Sequence, residues 1–277
     1  MPPDSALESH HFEALGTSCA LFAVAQPLTR LMEGELWVRR IGARFTRFSA
    51  ESELSRLNAS PGRWIPVGGE IEAVLRAALL AYDSSGGLVN VAVLPSMLAV
   101  GYTRTLSEGP TVAVLESARP LPSLPDVLRV RDGEAWLEPG AGLDLGGVAK
   151  GWMADRLCQW LGPNVLANLG GDLMARGAGP EGEGWPVGLA GVTLMLRDQG
   201  AATSSVRRRR WGDAHHLIDP RRGLPARTGL EEVSVVAATG FEAEVVAKTA
   251  LLLGPELAPT YCAAHALAWW LGGSRDD

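Results

Sequence analysis

The stretch DLGGVAKG at residues 144–151 places two adjacent glycines, a lysine and a third glycine where a strand-like run gives way to a helix-like run. Glycines let a backbone approach a ligand closely, and the first turn of a helix offers N–H groups and a positive dipole end to an anion. Lys150 adds a cation. The pattern suits a phosphate-binding loop, but a plain strand-to-helix turn also explains it. It lacks both P-loop spacing and the G-x-G-x-x-G of dinucleotide-binding turns.

Three further stretches contain residue types that could do chemistry. NLGGD at residues 168–172 is a second Gly-Gly turn at a strand end, and ATSS at 202–205 groups three hydroxyls. HHLIDPRRGLPA at 215–226 joins a histidine pair to an Asp-Pro turn and an arginine pair. Each stretch has an ordinary structural interpretation as a turn or a strand. Their occurrence together in one chain favours a shared site.

The elements that must position these stretches mix helices and strands. Periodicity and breaker residues predict helices at 28–45, 69–87, 148–162 and 241–253, strands at 141–145, 164–173 and 265–273, and a hairpin that turns at Asp132-Gly133. Met153, Leu157 and Leu161 recur at four-residue spacing on one helical face. Because strict βαβ alternation is missing, the sequence favours an α+β fold.

Composition excludes several classes of protein. The 277 residues carry a formal net charge of −6, which argues against nucleic-acid binding and against binding to anionic membranes. Cys19, Cys158 and Cys262 form no C-x-x-C pair, so we expect buried thiols. No apolar run is long enough for a membrane span. The N-terminus shows no leader, so we expect a cytoplasmic protein with a flexible tail at residues 1–10 and a single domain at residues 11–277.

Read in order, these and neighbouring stretches resemble the ApbE family, the FAD:protein FMN transferases. The matching stretches are LGTS (15–18), RFSAESELSRLN (47–58), GGLVN (86–90), DLGGVAKGWMADRL (144–157), NLGGDL (168–173), ATSS (202–205), HLIDPRRGLP (216–225) and EAEVVAKTALLLG (242–254). The resemblance implies a duplicated T-fold with two intimately packed subdomains. It also implies FAD as substrate, Mg²⁺ at the pyrophosphate, and transfer of FMN to a threonine or serine of an acceptor protein with release of AMP.

The resemblance also implies roles for particular residues. His216 matches the histidine that activates the acceptor hydroxyl, and Phe48 matches an aromatic side chain that packs on the flavin. The carbonyl group of Gly147 would face the metal. The positions that match FAD-contacting residues are Leu15, Phe48, Leu88, Val89, Asn90, Asp144, Lys150 and Ile218.

The chain departs from the family at the metal. The family's late helix carries an aspartate and, four residues later, a threonine as magnesium ligands, and the matching residues here are Glu244 and Lys248. A glutamate can still supply an oxygen, whereas a lysine cannot bind magnesium. Three interpretations stay open: a helix-surface ion pair at i, i+4, an ammonium group that partly replaces the metal, or loss of activity. A shifted register would use Thr249, which would then pair with Val245.

Two other departures leave alternatives open. Val89 and Asn90 replace a phenylalanine and an aspartate of the family, and four arginines occupy 207–210. The arginines could reach phosphate or an acidic acceptor, or could form a solvated strand edge. The alternatives to a transferase are an FAD-binding carrier, an FAD pyrophosphatase that uses water as acceptor, and a dinucleotide-binding oxidoreductase built on residues 144–172.

Overall fold

A computed structural model describes residues 6–105, 108–109, 111–115, 118–211 and 214–273. The helices are α1 (Leu28–Phe45), α2 (Glu53–Asn58), α3 (Gly69–Ser84), α4 (Leu94–Ala99), α5 (Leu124–Val127), α6 (Ala149–Leu161), α7 (Gly240–Leu253) and α8 (Ala258–His265). The strands are β1 (Leu7–Ala14), β2 (Thr17–Val24), β3 (Ile65–Pro66), β4 (Leu128–Arg131), β5 (Glu134–Leu137), β6 (Val165–Leu169), β7 (Asp172–Arg176), β8 (Trp185–Leu189), β9 (Val192–Leu196), β10 (Gln199–Ser205), β11 (Arg210–Trp211), β12 (Ala214–His215), β13 (Ile218–Asp219), β14 (Leu224–Pro225), β15 (Leu230–Ala237) and β16 (Ala268–Gly273).

The main sheet has seven strands in the order β1-β2-β6-β7-β10-β15-β16, and every neighbouring pair is antiparallel. The predicted α+β class is therefore confirmed. The first hairpin turns at Leu15 and Gly16, which both have positive φ (55° and 68°), as a two-residue hairpin loop requires. The prediction of a flexible tail is wrong for residues 7–10, because they belong to β1 and their backbone pairs with β2. Residues 1–5 lie outside the described residues.

Helices α6 and α7 pack on each other and on the main sheet. Their first turns come together because Gly151 has no side chain: a Cβ there would lie 2.4 Å from the carbonyl oxygen of Gly240. The carboxylate of Asp155 fixes this contact by accepting N–H bonds from Gly240 (2.7 Å) and Phe241 (3.0 Å). The start of α6, with Lys150, therefore faces the first two turns of α7.

The structure corrects two predicted strands. Residues 141–145 form no strand and lead into α6 as extended chain. The predicted strand at 164–173 is two strands, β6 and β7, because Gly170 and Gly171 adopt positive φ (76° and 98°) and reverse the chain. The sequence analysis recognised that Gly-Gly turn but not the second strand. Helix α8 was also missed.

The apolar patterns and the cysteines behave as predicted. Met153, Leu157 and Leu161 of α6 are buried in the largest apolar core, and the three cysteines are free and buried. No helix among the described residues is long and apolar enough to cross a membrane.

Candidate functional site

A cavity of about 610 Å³ lies among α1, the loop before α6, and the strand β13. A pocket of this size is typical of small-molecule and cofactor sites. Its lining includes every residue that the resemblance assigns to FAD, together with His216, Gly147 and Lys248. The residues so assigned are Leu15, Phe48, Leu88, Val89, Asn90, Asp144, Lys150 and Ile218. Residues scattered over most of the sequence thus meet at one site.

Two aromatic side chains, Phe48 and Tyr102, form part of the cavity wall. Phe48 is 40% exposed, and its ring centre lies 5.6 Å from that of Tyr102 in an edge-on arrangement. The guanidinium group of Arg47 lies 4.2 Å from the centre of the Phe48 ring and 4.7 Å from that of Tyr102. Such a surface offers a planar ring system a face to stack on.

Arg47 also holds the loop before α6. Its Nε lies 2.5 Å from Oδ2 of Asp144, and its Nη2 donates to the carbonyl oxygen of Tyr102 (2.6 Å). The other oxygen of Asp144, Oδ1, accepts the N–H of Gly146 (2.8 Å). The sequence analysis did not single out Arg47, although it begins the stretch RFSAESELSRLN, directly before Phe48.

Charged side chains cluster where the start of α6 faces α7. Lys150 forms an ion pair with Asp172, and its Nζ lies 3.8 Å from Oε1 of Glu244. Nζ of Lys248 lies 3.7 Å from the same oxygen and donates a hydrogen bond to the carbonyl oxygen of Gly147. Oε2 of Glu244 accepts the N–H of Gly151 (2.9 Å). The two ammonium groups thus flank one buried carboxylate.

Burial governs the ionisation of this cluster. Desolvation lowers the pKa of Lys150 to about 8, although the neighbouring Glu244 opposes that shift. Desolvation also lowers the pKa of Lys248. The lysine side chains are 16% and 13% exposed, so each still reaches the cavity. They are the only lysines in a sequence that otherwise uses arginine for its cations.

A second, polar cavity of about 210 Å³ adjoins the first. Among the described residues, seven line both cavities, and four of them carry ionisable side chains: Lys150, Arg209, His216 and Lys248. The second cavity is also lined by residues of the predicted hydroxyl cluster and Gly-Gly turn, namely Thr203, Ser204, Ser205, Gly170 and Asp172. The four stretches that drew attention in the sequence therefore do meet at one place.

The two adjacent histidines have different environments. His215 is satisfied, because Nε2 lies 2.9 Å from the carbonyl oxygen of Ala226 and Nδ1 lies 3.3 Å from the N–H of Leu217. Nδ1 of His216 is buried without a hydrogen-bond partner among the described residues. Desolvation, then the cations Arg209 and Lys248, hold the pKa of His216 well below its usual value. A neutral ring of this kind can accept a proton.

A family comparison decides what this architecture belongs to. Residues 15–270 match the model of the ApbE family. The chain belongs to the ApbE family. Over 242 residues it is 29% identical to the FAD:protein FMN transferase of Treponema pallidum, covering 74% of this chain and 66% of that protein. It is 32% identical to a Klebsiella pneumoniae FAD:protein FMN transferase over 137 residues, 42% of this chain and 40% of that one.

ApbE structures have the same fold. The apo form of the Pseudomonas stutzeri flavinyl transferase ApbE superimposes with a TM-score of 0.85 at 21% identity, covering 98% of this chain and 92% of that one. The likeness confirms the ApbE-like fold predicted from the sequence. The aligned regions cover only 66% of the Treponema pallidum protein and 40% of the Klebsiella pneumoniae protein, so the match spans part of each relative.

The ApbE resemblance implies magnesium, but the donor set here does not suit that ion. Mg²⁺ requires oxygen ligands in near-octahedral geometry. The carbonyl oxygen of Gly147 already accepts the ammonium of Lys248, Oε2 of Glu244 accepts an N–H, and a lysine offers no lone pair when charged. Among the residues that the structure describes, no three His, Cys, Asp or Glu side chains form a group that could hold a metal. Gly147, Glu244 and Lys248 lie together, linked by the hydrogen bond of Lys248 to the Gly147 carbonyl and by its ion pair with Glu244.

Thr249 and Asn90 are two further positions where this sequence raised questions about the site. Thr249 is fully buried and its hydroxyl donates to the carbonyl oxygen of Val245 (2.8 Å), so a shifted register does not bring it to the cavity. Asn90 lines the cavity, but its side chain is hydrogen-bonded to backbone groups. Its Nδ2 donates to the carbonyl oxygen of Pro122 (2.9 Å), and its Oδ1 accepts the N–H of Ala92 (2.9 Å). The amide at position 90 therefore shapes the chain around the cavity.

Proposed function

We propose that this chain transfers the FMN half of FAD to the hydroxyl of a threonine or serine in an acceptor protein and releases AMP. The observation that carries the proposal is His216, whose unpartnered Nδ1 is buried where the two cavities adjoin. A buried polar atom without a partner costs free energy unless a ligand uses it. The names of the relatives support the same activity.

The proposed arrangement follows the two cavities. The flavin would stack on Phe48. The pyrophosphate would lie near Lys248 and the start of α6, where helix N–H groups favour an anion. The acceptor hydroxyl would enter through the smaller polar cavity beside Arg209. His216 lies between donor and acceptor in this arrangement.

The proposed reaction needs one proton acceptor and an in-line approach. His216 takes the proton of the acceptor hydroxyl, whose oxygen attacks the phosphorus on the FMN side. The bond from that phosphorus to the bridging oxygen breaks, and its electron pair leaves with AMP. The imidazolium then returns its proton to solvent. The lowered pKa of His216 keeps its ring neutral at pH 7, so one ring nitrogen has a free lone pair for that proton.

The test incubates the chain with FAD and a threonine-containing peptide library, and uses a valine-substituted library as the blank. We expect AMP and flavin-labelled threonine peptides. His216→Ala should lower transfer by about 10²- to 10⁴-fold, as loss of a general base does, and should leave FAD affinity nearly unchanged. His11→Ala is the control, since His11 is an exposed residue of β1.

Other results would refute the transferase and identify the alternatives. AMP without labelled peptide would make the chain an FAD pyrophosphatase. Bound FAD without AMP would make it a carrier. Normal transfer by His216→Ala would remove the role proposed for that histidine.

A further inference from the structure

We infer that the ammonium group of Lys248 takes the place of a divalent cation at the pyrophosphate, so that this chain binds and processes FAD without one. The inference rests on the proposed function and deepens it. It also accounts for the mismatch between the donor set of the site and the ligand preferences of magnesium.

The position of the ammonium carries the inference. Nζ of Lys248 donates to the carbonyl oxygen of Gly147 and lies 3.7 Å from the carboxylate of Glu244. Those are the two oxygens that the family resemblance assigns to the metal. A Cβ on Gly147 would lie 2.8 Å from the same nitrogen, so the glycine gives the lysine room to reach the carbonyl. A cation of the chain already holds that position.

The chemistry of the ammonium group suits the role. A lysine carries three N–H donors, and the bond to Gly147 uses one of them. The Lys248 side chain lines both cavities, so the remaining donors can reach a phosphate oxygen placed between them. As a compact point charge, an ammonium binds phosphate without the fixed geometry that arginine or magnesium imposes.

The charges around Lys248 leave its ammonium group only loosely paired, 3.7 Å from Glu244. Lys150 is neutralised by its ion pair with Asp172, and Glu244 stands between the two lysines. Arg209 lines both cavities and adds a second positive charge. Lys248 and Arg209 together match the two charges that a divalent cation would bring to a pyrophosphate.

The burial of the pair argues against an ordinary surface ion pair. The side chains of Glu244 and Lys248 are 4% and 13% exposed, and both residues line the smaller, polar cavity. A buried cation without a ligand function is costly, because desolvation of the charge exceeds what one imperfect ion pair returns. A bound anion would supply the missing partner.

The test measures FAD affinity by flavin fluorescence polarisation, once in excess EDTA and once in saturating MgCl₂. We expect the wild-type dissociation constant to agree within about twofold between the two conditions. Lys248→Thr should weaken binding in EDTA by about tenfold or more, because a hydrogen bond to a charged group is lost. Glu244→Asp/Lys248→Thr, which restores the pair typical of the family, should recover affinity only when magnesium is present.

Two controls keep the result interpretable. Arg76→Thr removes the cation of an i, i+4 pair with Glu72 on α3, far from both cavities, and should bind FAD like the wild type. Lys248→Met keeps the length of the side chain without its charge, so it serves if the threonine variant fails to fold. Calorimetric titration with Mg²⁺ should give saturable heat for the double variant and none for the wild type.

The outcomes separate this inference from the proposed function. A wild-type chain that binds FAD and releases AMP only with magnesium would overturn the inference and leave the transferase intact. Wild-type affinity that improves tenfold with magnesium would overturn it too. A chain that binds no FAD under either condition would overturn both, whereas AMP release together with flavin-labelled peptide in EDTA supports both.

Discussion

Helices α3 and α7 each carry an acid followed four residues later by a base, and the two pairs behave differently. On α3, Glu72 and Arg76 approach to 2.8 Å with side chains that are 20% and 47% exposed. On α7, Glu244 and Lys248 stay 3.7 Å apart with side chains that are 4% and 13% exposed. The looser pair lies at the site and the tighter pair lies on the surface.

Burial and additional partners, not the four-residue spacing, determine what such a pair does. Helix α3 buries one face, so its outer pair is solvated and screened. Helix α7 is buried around most of its circumference, so its pair must find partners inside the protein. Gly151 and Lys150 for the acid, and Gly147 for the base, supply them.

The largest expected effect comes from removing the buried acid. Glu244→Gln leaves two ammonium groups facing each other without their shared carboxylate, and we expect a loss of about 3 kcal/mol in the free energy of unfolding. Glu72→Gln should change stability only slightly, because its pair is solvated. Urea unfolding of both variants checks this. Equal losses would mean that the two pairs are equivalent and that the comparison fails.

The next effect tests the packing that buries the pair. Gly151→Ala places a Cβ 2.4 Å from the carbonyl oxygen of Gly240, so α6 and α7 must separate. We expect a loss of about 1–3 kcal/mol and weaker FAD binding. Gly69→Ala at the start of α3 is the matched control, since nothing lies within 4 Å of its Cβ, and a gain of up to about 0.5 kcal/mol is expected. Wild-type stability of the Gly151 variant would show that this approach is not tight.

Local patterns predicted the elements well where each element carries its own signal. Helix α1 spans Leu28–Phe45 as the apolar spacing predicted, and the hairpin at Asp132-Gly133 forms between β4 and β5. The prediction of a flexible tail was wrong because β1 is stabilised by pairing with β2, and residues 7–10 show little apolar pattern of their own.

The site was predictable through stretches of characteristic sequence and not through its contacts. The resemblance assigned residues that the structure gathers around one cavity. The partners of those residues could not be read from spacing, because Lys248 reaches Gly147 across 101 positions and Arg47 reaches Asp144 across 97. Which of the three interpretations of Lys248 applies depends on such a distant contact.

The smallest expected effect concerns the influence of the Lys248 charge on the pKa of His216. Desolvation lowers the pKa of His216, and the charges of Arg209 and Lys248 lower it further. Below the usual pKa of histidine, the unfolded chain therefore binds a proton at His216 that the folded chain does not. Stability is therefore lost as the pH falls below about 6.5, the usual value for histidine. Removing the charge in Lys248→Thr should raise the folded pKa of His216 and make this acid loss smaller, whereas Arg76→Thr should leave the loss unchanged. Urea unfolding at pH 7 and pH 5 checks the sign. An acid loss as large in Lys248→Thr as in Arg76→Thr would mean that the buried cation does not act on His216, and that the two pairs differ in burial alone.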